Sequence, residues 1–182
     1  MGMTAAHATL VLGGARSGKS RLAETIARSR AGADGRLVYV ATAEALDAEM
    51  ERRIAAHRRL RGPDWRTIDA PMEIAAAIAA EARPGAAVLV DCLTLWLSNL
   101  MHGARDIDAE TARLISALAV ARGPVVLVAN EVGLGIVPDN ALARAFRDHA
   151  GRMNQAVAAA AGQVLLVAAG LSLTLKGPAF TP

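Results

Sequence analysis

The sequence predicts an α/β, three-layer fold with a mostly parallel sheet covered by helices. Three observations predict it. Short apolar runs alternate with longer helix-like segments along the chain. A glycine-rich stretch of phosphate-binding type sits where the first apolar run gives way to a helix. Runs such as Ala87 to Val90 are apolar without a break, as in strands buried on both faces. The 182 residues fit a single domain, 1–182, and no repeat, charge block or linker divides them.

In chain order, Thr9 to Leu12 reads as the first strand, Lys19 to Ser29 as a helix and Leu37 to Ala41 as the second strand. Ala45 to Arg61 is expected to be helical, with Glu49, Arg53, His57 and Arg61 at i, i+4 spacing on one face. Pro71, well placed in a first turn, opens a helix through Glu81. Ala87 to Val90 is the third strand, and Leu93 to Met101 and Asp108 to Ala121 are helices. Pro124 to Ala129 makes a fourth strand, followed by a glycine-rich loop from Asn130 to Pro138. Asp139 is the expected N-cap of a helix reaching Ala161, with an apolar stripe of Leu142, Phe146, Met153 and Val157. Val164 to Ala168 is a fifth strand and Ser172 to Leu175 a short edge strand.

Composition narrows the function classes. With 53% hydrophobic and 20% charged residues the chain has material for a core and is not of the disordered class. Aromatic residues at 3% leave little to stack on single-stranded bases, and a net charge of +3 is too mild to indicate nucleic acid or membrane as partner. The single Cys92 excludes an internal disulfide and a cysteine-only metal cluster, which fits a reducing cytoplasm. Met1 to Leu12 lacks the basic start of a secretory signal. The longest apolar stretch, Val164 to Leu175, is shorter than the roughly 20 residues that span a bilayer.

The strongest local signal is Gly13-Gly14-Ala15-Arg16-Ser17-Gly18-Lys19-Ser20, a full match to GxxxxGK[ST]. Glycines let backbone N–H groups turn inward around phosphate oxygens where side chains would clash. Lys19 is expected to supply a point charge to the outer phosphates, and the Ser20 hydroxyl can bind Mg²⁺. The chain has only two lysines, Lys19 and Lys176, among its 20 basic residues, so a lysine here is not compositional drift. Asp91 ends the third strand, where a carboxylate holds Mg²⁺ through water or serves as ordinary strand-end polarity. The phosphate loop favours the metal.

Two further constellations leave alternatives open. His57 is flanked by Arg53, Arg58, Arg59 and Arg61. A neutral imidazole there is a competent nucleophile, and arginines would lower its pKa and clamp phosphates. The spacing alone fits a solvated basic face with an incidental histidine better. His7, His102 and His149 lack such surroundings and read as structural or exposed. Asn130-Glu131-Val132-Gly133-Leu134-Gly135-Ile136-Val137-Pro138 follows a strand at the edge where open α/β sheets bind ligands. Glu131 is a candidate base, or a carboxylate that supports a metal-bound water from behind, and the loop is equally readable as structural. No NKxD motif is present, which disfavours a Ras-like GTPase.

Taken together the motifs resemble the bifunctional adenosylcobinamide kinase/adenosylcobinamide-phosphate guanylyltransferases of cobalamin biosynthesis. The matching segments are residues 13–21, 39–58, 65–67, 88–100, 130–138 and 142–155, in order along nearly the whole chain. The resemblance implies a RecA-like phosphate-loop nucleoside triphosphatase fold. It implies phosphorylation of adenosylcobinamide by ATP or GTP, then GMP transfer from GTP through a GMP-histidine phosphoramidate on His57. It also carries nucleotide contacts onto Ala41, Thr42 and Ala43, onto Arg58, Arg59, Leu60 and Arg61, and onto Asp69 and Asp91. A homotrimer with sites at subunit interfaces is implied as well. The family carries Glu where this chain has Asp69 and Asp91, and often Ser where it has Ala43. A plain small-molecule kinase and a nucleotide-binding regulatory module share the phosphate loop. The His57 helix together with the NEVGLGIVP loop favours the bifunctional enzyme over both.

Overall fold

A computed structural model of the chain describes residues 5–32, 35–44 and 48–180, without the side chains of residues 49, 50, 53, 57 and 60. Its elements are β1 (Ala5–Gly13), α1 (Lys19–Arg30), β2 (Arg36–Ala41), α2 (Ala48–Arg61), β3 (Trp65–Asp69) and α3 (Ile74–Glu81). They continue with β4 (Ala86–Asp91), α4 (Leu93–His102), α5 (Ile107–Val120), β5 (Val125–Asn130), α6 (Ala141–Ala160), β6 (Ala161–Ala168) and β7 (Leu171–Lys176). The strands form one seven-stranded sheet in the order β3-β2-β4-β5-β1-β6-β7. All neighbours pair in parallel except β6 and β7. The mostly parallel α/β sheet expected from the sequence is therefore what the chain forms. Its central order, with β5 between the phosphate-loop strand and β4, is that of the RecA-like class.

The period of two along each strand builds the layers. Val38, Val40, Val88, Val90, Leu10 and Leu12 face a core shared with Ile74, Ile78, Trp96, Leu114, Leu118, Met153 and Val157 of the helices on that side. Leu37, Tyr39, Leu89, Val11, Val126 and Val128 point the other way, against Ala23, Ile26 and Ala27 of α1. Strands apolar at every position are thus buried twice over. β7 is the exception, since it closes the sheet as an antiparallel edge and leaves Leu171, Leu173 and Leu175 exposed.

Several expected boundaries are corrected. Trp65–Asp69 forms a further strand that its sequence does not announce, because five residues with one buried aromatic show too little alternation. The helix expected from Pro71 begins at Ile74, since Pro71 O and Met72 O instead accept from Asn99 Nδ2 at 2.9 Å and Trp96 Nε1 at 2.7 Å. The helix expected from Asp108 starts at Ile107, capped by the Asp106 side chain. Asn140, not Asp139, caps α6, accepting from the Ala143 N–H at 2.7 Å. Leu142 lies outside the buried stripe of that helix and is 68% exposed. The expected helical start at Ala45 falls outside the described residues, and α2 is described from Ala48.

Candidate active site

The phosphate loop turns at the carboxyl end of β1. Gly13 has no room for a side chain, because a Cβ there would stand 2.5 Å from Ser17 Oγ and 2.6 Å from Val167 O. Gly18 takes φ +98 to start α1; no side chain among the described residues caps that helix, and its first turn holds no acid. Its first N–H groups are thus left to an anion, where the helix dipole also favours one. Ser17 Oγ is buried without a partner among the described residues, and Lys19 Nζ folds back to donate to Gly14 O at 3.2 Å. Gly14, Ala15 and Arg16 form the exposed rim, with Lys19 and Ser20 half-buried behind it. The β6–β7 turn supports the loop from beside, Gly170 N–H donating to Ser17 O at 2.8 Å.

Strand register brings the other candidates to the same edge. Asp69 of β3 and Asp91 of β4 are both paired with Ala41 of β2, so the three stand in one row. Thr42 is fully buried and locked to β4, its hydroxyl donating to Cys92 O at 2.9 Å and accepting from Cys92 N–H at 2.8 Å. Burial and the neighbouring Asp91 charge push the Cys92 thiol up. Ala43 is half-buried beyond Thr42. Arg58 Nη2 donates to both oxygens of Asp69, at 2.9 and 3.2 Å, joining two candidate residues at the surface. Arg59 is exposed. Arg61 is buried with its guanidinium on the Tyr39 ring, and its Nη1 has no hydrogen-bond partner among the described residues. His57 and Leu60 lie on α2, but their side chains are outside the described set.

β5 runs to Asn130, level with Gly13 in the register, and so delivers Glu131 to the phosphate loop. Glu131 N–H donates to Gly13 O at 3.2 Å, and its Oε1 accepts from Gly133 N–H at 2.6 Å. The preceding peptide is gripped from two helices: Thr94 Oγ1 accepts from Asn130 N–H at 2.7 Å, and Asn154 Nδ2 donates to Asn130 O at 3.4 Å. Thr94, Asn154 and Tyr39 bond directly to residues of the candidate site, and the sequence did not point to them. Tyr39 Oη donates to Asp91 Oδ2 at 2.8 Å, and burial together with that carboxylate pushes its phenol far above the ordinary tyrosine range. A lone tyrosine in a chain so poor in aromatics was the available signal.

Ser20 and Asp91 supply one hydroxyl and one carboxylate, oxygen donors that fit Mg²⁺. Among the described residues no cluster of three or more His, Cys, Asp or Glu could cage a metal. Two such donors would suit a Mg²⁺ bound mainly through nucleotide phosphates, with Ser20 and Asp91 holding it on the protein side.

The chain matches the model of the cobinamide kinase / cobinamide phosphate guanyltransferase family over residues 9–175. It is 47% identical over 170 residues to the bifunctional adenosylcobalamin biosynthesis protein CobP of Pseudomonas aeruginosa, covering 92% of this chain and 96% of the relative. It is 43% identical to the bifunctional adenosylcobalamin biosynthesis protein CobU of Escherichia coli and 42% to that of Salmonella typhimurium, covering 92% of this chain and 98% of each relative. The flagellar accessory protein FlaH of Methanocaldococcus jannaschii superposes with a TM-score of 0.50 at 12% identity, covering 97% of this chain and 80% of that one, a likeness of fold alone. The family match over most of the chain and relatives 42–47% identical over 92% of it show that the chain belongs to the cobinamide kinase / cobinamide phosphate guanyltransferase family, a family of enzymes.

Proposed function

We propose that this chain, as one domain over 1–182, phosphorylates adenosylcobinamide with ATP or GTP and then transfers GMP from GTP to the product. In the first reaction the aminopropanol hydroxyl attacks the γ-phosphorus, gives up its proton, and a nucleoside diphosphate leaves. Glu131, tied to Gly13 beside the loop, is the candidate base. In the second, an imidazole nitrogen of His57 attacks the α-phosphorus of GTP, and pyrophosphate leaves as the α–β bridge breaks. A phosphate oxygen of adenosylcobinamide phosphate then attacks the same phosphorus. The P–N bond breaks, His57 is restored and adenosylcobinamide-GDP is released. Splitting one transfer into two is the logic of covalent catalysis.

Lys19 and the free N–H groups of the loop hold the outer phosphates while charge develops on them. Ser20 and Asp91 would hold Mg²⁺, which neutralises charge on the leaving pyrophosphate when bound. Ala41, Thr42, Ala43, Arg58, Arg59, Leu60, Arg61, Asp69 and Asp91 are assigned to the nucleotide. The row of Asp69, Ala41 and Asp91 at one register level supports that assignment. The observation that carries the reading is the meeting at one sheet edge of the phosphate loop, this row and the Glu131 loop.

The test uses Mg²⁺ and GTP labelled at the α-phosphate. Wild type is expected to retain acid-labile, alkali-stable label after denaturation, and His57→Ala to retain none. A well-folded, GTP-binding wild type that takes up no label would reduce the reading to a plain kinase.

The enzyme is further read as a cytoplasmic homotrimer that acts without nucleic acid. No helix among the described residues is long and apolar enough to cross a membrane. Leu134 (86%), Ile136 (97%) and Leu142 (68%) stand exposed around the NEVGLGIVP loop, a patch that a second subunit would cover. Light scattering on the purified protein is expected to give three times the 18.8 kDa chain mass.

A further inference from the structure

Tyr39 stands where three parts of the candidate site converge. It is the only tyrosine of the chain, buried in β2 two residues before Ala41. Its hydroxyl donates to Asp91 Oδ2 at 2.8 Å. The Arg61 guanidinium lies 3.2 Å from the centre of its ring, and the Trp65 ring meets it edge-on, with centroids 6.1 Å apart. Arg61 is the last residue of α2, the helix that carries His57, and its carbonyl accepts from Arg28 Nη2 of α1 at 3.0 Å. One side chain thus touches the carboxylate ending β4 and the end of α2, which is itself pinned to the helix opened by the phosphate loop.

A carboxylate that accepts a hydroxyl donor on one oxygen loses its freedom to rotate and presents the other oxygen in a set direction. Partners behind a metal ligand act in this way, orienting the ligand and tuning its affinity. Tyr39 occupies Oδ2, which leaves Oδ1 of Asp91 to the metal side. We propose that Tyr39 is a positioning residue that holds Asp91 with Oδ1 turned toward nucleotide-bound Mg²⁺, and that Arg61 on its ring links this setting to the seat of α2. The proposal rests on the assignment of Asp91 to the metal made above.

Two measurements test it, with wild type, Tyr39→Phe and Asp91→Asn in complex with α,β-methylene GTP, which cannot react at the α-phosphorus. Free Mn²⁺ measured by electron paramagnetic resonance gives the metal affinity of each complex. Tyr39→Phe keeps the ring and its packing, and is expected to weaken Mn²⁺ binding about 10-fold, in the range seen when such supporting partners are lost. Loss of the buried hydroxyl's bond to a carboxylate lowers the thermal midpoint as well, but a merely structural role in the core would not weaken Mn²⁺ binding by the folded, nucleotide-bound variant. If Tyr39→Phe binds Mn²⁺ like wild type while Asp91→Asn does not, the proposal is overturned and the metal assignment stands. If Asp91→Asn also binds like wild type, the metal assignment fails and the proposal fails with it. The second measurement needs no variant that must fold. Fluorotyrosine incorporation places a single ¹⁹F label in the chain, at residue 39. Its resonance is expected to move when Mg²⁺ is added to the nucleotide complex, and an unmoved resonance would also overturn the proposal.

Discussion

The two glycines that open the phosphate loop differ in what they are for. A Cβ on Gly13 would meet the Val167 carbonyl of the neighbouring strand at 2.6 Å, whereas one on Gly14 would meet nothing within 4 Å among the described residues. Gly13→Ala is therefore expected to lower stability by about 1–3 kcal/mol, the usual range for overpacking, and to abolish GTP binding. Gly14→Ala should leave the thermal midpoint of the unliganded protein unchanged. Equal midpoints for the two variants would refute this account. Cys92 makes a second prediction at this scale. It is 6% exposed, and burial with the Asp91 charge beside it raises its thiol pKa, so the reactive thiolate is scarce and shielded. Iodoacetamide should label it only on unfolding, and rapid labelling of folded protein would show that the strand end opens. The loop was legible from sequence because its chemistry is local, eight consecutive residues of required type. Tyr39 was not, because its role depends on a carboxylate 52 positions away in the chain.

The elements are held by devices that short windows of sequence half reveal. Glu110 anchors the start of α5, accepting from Arg105 Nε at 2.9 Å and Arg113 Nη1 at 2.6 Å. Burial alone would raise its carboxyl, and the bonds and charges of Arg105 and Arg113 overcome this and hold it below the ordinary range. A carboxyl held low in the fold contributes stability that is fully present above its unfolded pKa of about 4.3 and is lost as the pH falls through the folded value. Glu110→Gln should therefore destabilise at neutral pH and flatten the acid limb of the stability profile. An unchanged limb would show that the pair is inert. At the other edge of the sheet, Ala169 (φ 51) and Gly170 (φ 80) join β6 to β7 in the doubly left-handed geometry of a two-residue hairpin turn. Asn tolerates that geometry better than Ala, so Ala169→Asn is expected to raise the thermal midpoint slightly. The hairpin itself was expected as an edge strand, but its turn was unmarked, since only Gly170 carries a turn signal.

For the whole molecule the relevant quantities are the core and the exposed apolar rim. Leu127 lies at the centre of β5, fully buried between β4 and β1. Leu127→Ala should cost about 2–5 kcal/mol, as truncations in close-packed cores do, within a single cooperative unfolding transition. Two transitions would divide the chain into more than the one domain proposed. Leu142→Ser, at an exposed position, is expected to leave the folded subunit intact and instead to lower the mass seen by light scattering.

Sequence by itself determined the class of fold, the strand–loop–helix that carries the phosphate site, and the family, because period-two apolar runs and a glycine-defined loop are written in adjacent residues. The tertiary structure alone decided which side chains stand together. Only pairing in parallel register sets Asp69, Ala41 and Asp91 in one row, since each crossover that separates such strands hides their alignment from the chain. It alone sets Glu131 against Gly13, because β5 enters the sheet beside a strand more than a hundred residues earlier. Trp65–Asp69 became a strand for the same reason: its neighbour β2 supplies the hydrogen bonds that five residues of weak alternation do not advertise.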